Sequence, residues 1–101
     1  MDSAKKYFAL KLLPCRPDFA FTLSDEERAI MLQHAAYWRE KMSKGMVLVF
    51  GPVMDPSGPY GLGVVAVDDE EEVKDFIEHD PAAKLNKYEY FPMMAVVPTT
   101  N

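Results

Sequence analysis

The order in which two hydrophobic periods follow one another restricts this chain most. A helical period over Ser24 to Gly45 and a second from Asp68 or Asp69 through Glu78 are each bracketed by short apolar runs with strand character. The first helix opens with capping-box spacing, Ser24 to Glu27, and Asp25, Glu26 and Glu27 place negative charge at the positive end of the helix dipole. Met31, Ala35, Trp38 and Met42 form its core stripe, with Ile30, His34 and Tyr37 beside it, and Gly45 closes it. The second helix is acidic outside, with Val73, Phe76 and Ile77 as its apolar side.

Around these helices, Tyr7 to Leu13 reads as a strand that is apolar on both faces. Met46 to Phe50 is β-rich, Gly51 and Pro52 interrupt it, and the turn formers Asp55 to Pro59 reverse the chain into a second arm, Gly61 to Val67. A last strand is expected over Lys87 to Val97, where Pro92 marks an edge or a bulge. Pro14 to Leu23 carries two prolines but also Phe19 and Phe21, which predicts a packed loop. Residues 1–101 therefore read as one α+β domain of strand, helix, strand, strand, helix, strand. This is the ferredoxin-like βαββαβ plan, a four-stranded antiparallel sheet with both helices on one face. Apolar residues on the other face predict a homodimer through the sheets, of the dimeric α/β-barrel type.

Composition removes several functions. A length of 101 residues is too short for two cores, and a net charge of −5 disfavours nucleic acid and anionic membrane surfaces. No run approaches the ~20 apolar residues of a transmembrane helix, and no signal peptide is expected. Cys15 is the lone cysteine, so neither a disulfide nor a cysteine-rich zinc site is available and a cytoplasmic setting is expected. His34 and His79 lack metal-ligand spacing, and the glycines from Gly58 to Gly63 lead into a strand where a phosphate loop would lead into a helix. No metal and no cofactor are expected.

Two polar residues stand out against apolar surroundings. His34 borders the buried stripe, either as an interior histidine bonded to a backbone carbonyl or as a general acid or base with an ordinary pKa of ~6.5. Asp80 continues the spacing of Val73, Phe76 and Ile77, which aims a carboxylate inward, and Asp80-Pro81-Ala82-Ala83 also suits the N-cap of a short helix. His79, between Glu78 and Asp80, is expected to be solvated.

The succession His34 with Tyr37, Gly45, Gly51-Pro52, Gly58 and Asp80-Pro81, with Arg16-Pro17 ahead of the first helix, resembles the YCII-related family of small bacterial proteins. The resemblance runs from about Lys6 to Val97. It implies a ferredoxin-like homodimer and an active site centred on a histidine and an aspartate, which fall on His34 and Asp80. Most members of that family have no established reaction, and one relative is a dehydrochlorinase. On this reading His34 moves a proton on a small substrate, in lyase, isomerase or dehydrochlorinase-like chemistry, with Asp80 orienting the imidazole. Tyr60, Phe19, Phe21, Gly51 and Pro52 are the candidate substrate-binding residues. The competing reading is a non-catalytic dimeric module, structural or binding a small ligand, in which the same dyad is a structural hydrogen bond.

Overall fold

The computed structural model describes residues 5–98. Strand β1 (Lys6–Leu13) leads into helix α1 (Asp25–Ser43), then β2 (Val47–Val53), β3 (Tyr60–Val67), helix α2 (Glu70–Glu78) and β4 (Lys87–Met93). Two single-turn 3-10 segments interrupt the connections, Phe19–Phe21 before α1 and Pro81–Lys84 after α2. The sheet order is β2-β3-β1-β4, with every neighbouring pair antiparallel. This is the ferredoxin-like arrangement expected from the order of hydrophobic periods.

Local chemistry explains where the helices begin and end. Ser24 and Glu27 close a reciprocal capping box, Ser24 Oγ accepting from the Glu27 amide at 3.1 Å and Glu27 Oε1 accepting from the Ser24 amide at 2.9 Å. Gly45 ends α1 with φ of 87°, the left-handed conformation that costs glycine little. For α2 the cap is Asp69, whose side chain accepts from the Glu72 amide.

The alternation of β1 separates the two sheet faces. Phe8, Leu10 and Leu12 are buried, and Phe8 and Leu10 share a core with Val47, Val65 and Val67 of the sheet, Trp38 of α1, and Val73 and Phe76 of α2. Both helices therefore lie on this face. Met42 in the last turn of α1 is exposed, and Trp38 is the α1 residue wholly inside the core. On the opposite face the register sets Val49, Val64, Ala9 and Phe91 in one row across all four strands. Val49 and Phe91 of that row are exposed.

Two strand limits differ from the sequence expectation by more than one residue, each for a ladder reason. Strand β2 continues through Gly51 and Pro52 to Val53, because β2 is an edge strand and one side of its backbone has no partner to supply. Strand β4 stops at Met93, not Val97, since Met93 pairs with Tyr7 and β1 begins only one residue before Tyr7, at Lys6. Pro92 does lie in an edge strand.

Candidate functional site

The register also builds a depression. On the helix-covered face the last two rows are Phe50, Gly63, Leu10, Tyr90 and Pro52, Gly61, Leu12, Tyr88. Glycines occupy the middle of both rows, so the sheet lacks side chains there, and a glycine within a strand marks the close approach of another group. At Gly63 that group is Trp38: a Cβ would overlap the edge of the indole ring. Beyond the indole, a cavity of about 290 Å³ opens between α1, the glycine rows and the loop before α1. Met31 and Ala35 are only half buried because this cavity lies beneath them.

The loop is the cavity's outer wall. Phe19 is buried and lines it, whereas Phe21 is 69% exposed and does not. Phe21 is thus no wall of the cavity. In a 3-10 turn three residues complete a revolution, so side chains two apart cannot point the same way. Arg16 fastens the loop to α1, its guanidinium forking onto both Glu27 oxygens at 2.8 and 2.9 Å and its Nη2 donating to the Thr22 carbonyl at 2.6 Å. That fork, with the Ser24 amide, draws the Glu27 carboxyl down to about 2. Of the other expected wall residues, Gly51, Pro52 and Tyr60 all line the cavity.

His34 and Asp80, 46 positions apart, meet at the inner end. Nδ1 of His34 lies 2.9 Å from each carboxylate oxygen. The Asp80 side chain is 0% exposed and that of His34 14% exposed. Asp80 also accepts from Trp38 Nε1 at 2.7 Å, from the Tyr88 hydroxyl, and from the Ala82 amide at 2.9 Å as N-cap of the 3-10 turn Pro81–Lys84. Burial opposes ionisation of Asp80, yet the hydrogen bonds from His34, Tyr88 and Ala82 outweigh it and hold the carboxyl below its ordinary 3.8. Burial and the charge of Asp80 push the Tyr88 phenol far upward, so Tyr88 stays a neutral donor.

An ionised carboxylate only accepts, so each of its partners must donate. Nδ1 of a neutral His34 therefore carries the proton, and Nε2 is left as a lone-pair site. No hydrogen bond to Nε2 occurs among the described residues, none of their buried side-chain nitrogens or oxygens lacks a partner, and His34 lines the cavity. Nε2 is accordingly accessible. An imidazole in this arrangement accepts a proton at Nε2 while Asp80 stabilises the cation formed. The loose grouping of metal-ligand types among the described residues is elsewhere, Asp75, Glu78 and His79 on the surface of α2. There His79 Nδ1 already donates to the Asp75 carbonyl at 2.8 Å.

Residues 8–96 match the YCII-related domain. The chain belongs to the YCII-related family. Comparison with curated proteins gives no match. The match takes in both helices, strands β2 to β4 and β1 from Phe8 onward, and so includes His34, Asp80 and the residues that line the cavity. No helix among the described residues is long and apolar enough to cross a membrane.

The sequence reading gave Trp38, Tyr88, Gly61 and Gly63 no place at the site. Trp38 read as core, which it is, and its indole N–H is a second function that burial of a tryptophan generally demands. Tyr88 and the glycine pair carried a legible signal: a tyrosine at an inward strand position, and glycines two apart on one strand face.

Proposed function

We propose that this YCII-related protein is a small-molecule enzyme of lyase or isomerase type, in which His34 Nε2 takes a proton from the substrate and returns it. Asp80 is the positioning residue: it fixes the tautomer and balances the imidazolium charge. The observation that carries this reading is the single lone-pair nitrogen on an apolar cavity wall, backed by a carboxylate that four donors hold in place. The test is solvent deuterium exchange into small carbon acids. His34→Asn should lower the catalysed rate by about 10²- to 10⁴-fold while the fold is kept. An equal rate in the variant makes His34 structural.

A non-catalytic reading has one observation in its favour. Asp80 joins α1, the 3-10 turn and β4 through its donors, which a binding module would also need. Ligand binding without any His34-dependent exchange would select it. The same proposal includes a homodimer through the open sheet face, supported by the apolar row Val49, Val64, Ala9 and Phe91, whose two ends are exposed. Light scattering should give twice 11.5 kDa, and a monomer would remove the dimer. The free, exposed thiol of Cys15 suits a reducing cytoplasm.

A further inference from the structure

Resting on the acid–base reading of His34, we infer that the cavity takes a neutral, ring-sized carbonyl compound and that Asn86 binds its oxygen. Asn86 follows the 3-10 turn and lines the cavity. Its Oδ1 accepts from the Cys15 amide at 3.2 Å. A backbone amide only donates, so this bond fixes the side-chain orientation and turns the NH2 group away from Cys15. There its protein neighbour is Met31 Sδ at 3.8 Å, a weak acceptor. Asn86 thus offers a largely unspent donor on a wall that is mostly apolar, where residues such as Leu12, Phe19 and Phe50 surround the polar groups of His34, Tyr60 and Tyr88.

Charge selects the ligand class. No lysine or arginine among the described residues lines the cavity, so a carboxylate or phosphate entering it would be desolvated without a counter-ion. The Asp80 charge behind His34 adds repulsion. Size sets the scale: about 290 Å³ is roughly twice the ~150 Å³ apolar cavity that holds one benzene, which fits a substituted single ring or two fused rings.

The two polar groups then divide one reaction. Asn86 donates to the carbonyl oxygen, and His34 Nε2 removes a proton from the adjacent carbon. The C–H bond breaks, its electron pair moves into the carbonyl to form an enolate, and an N–H bond forms on the imidazole. The enolate oxygen stays on the Asn86 NH2, and the imidazolium stays against Asp80. Returning the proton to the same or another carbon closes the step with no redox partner.

The probes are 2-tetralone, a neutral bicyclic ketone, and 2-naphthoate, an anion of similar size, read by quenching of Trp38, the one tryptophan in the chain. The parent should bind the ketone at least about tenfold more tightly than the carboxylate, and the Asn86 NH2 proton resonances should move downfield with the ketone. Asn86→Asp keeps an acceptor for the Cys15 amide and removes the donor, so ketone binding should weaken about tenfold or more. Equal binding of naphthoate, no binding of either probe at millimolar concentration, unmoved Asn86 resonances or an unaffected Asn86→Asp variant would overturn the inference. Deuterium exchange at C1 of the bound ketone is read separately. Its absence in the parent, with ketone binding intact, removes the His34 base and leaves the ligand class standing.

Discussion

Two histidine–aspartate pairs occur among the described residues, and they behave as different objects. His79 and Asp75 are one helical turn apart on α2, with Nδ1 to Oδ1 at 3.5 Å and side chains 64% and 74% exposed. His34 and Asp80 come from different elements, lie at 2.9 Å, and are almost wholly enclosed. Water screens the first pair, and such surface pairs contribute little to stability. For the second, water has been replaced by Trp38, Tyr88 and the Ala82 amide, so removing the carboxylate strands several donors at once. Proximity of the two residue types is common to both pairs. What distinguishes the inner one is the fixed donor set behind the carboxylate and the cavity in front of the imidazole.

The comparison breaks most directly at its anchor. Asp80→Ala should destabilise the protein by about 3–5 kcal/mol in urea unfolding, because it leaves buried donors unpaired and uncaps the Pro81–Lys84 turn. Gly63→Ala comes next, at about 1–3 kcal/mol, since the new methyl displaces the Trp38 ring and drags its N–H from Asp80. The displacement should also shift Trp38 fluorescence. Asp75→Ala should leave the unfolding midpoint essentially unmoved.

Acidity sharpens the contrast. The native carboxyl of Asp80 lies below 3.8, so the native state binds fewer protons than the unfolded chain, and its contribution is present above that value. The stability gap between parent and Asp80→Ala should therefore narrow as pH falls below 3.8. At His79 the sign is reversed. The Asp75 carbonyl and then its carboxylate raise the imidazole above 6.5, so whatever that pair contributes is present below 6.5 and lost as pH rises through the native value. Titrating unfolding curves of the parent and both variants from pH 2 to 8 checks both windows.

The architecture was legible in the sequence because it depends on period, and period survives without tertiary knowledge. The capping box at Ser24, the stop at Gly45 and the meeting of His34 with Asp80 are features of spacing on helices. Limits set by a neighbouring strand were not legible: Pro52 belongs to β2 because β2 is an edge, and β4 ends where β1 begins. The cavity was half legible. Phe19 and Tyr60 line it as expected, but the outward turn of Phe21 depends on a 3-10 geometry that the two nearby prolines disguised. Trp38 and Asn86 were hidden for one shared reason, that each acts through a polar tip whose partner is remote in sequence.

The lone pair that Asp80 leaves on His34 Nε2 is read most directly from the ring ¹⁵N shifts of His34 at a pH where the imidazole is neutral. The expected result is a protonated Nδ1 with a downfield N–H resonance, a bare Nε2, and loss of that pattern in Asp80→Asn. His34 found with its proton on Nε2 in the parent would contradict it.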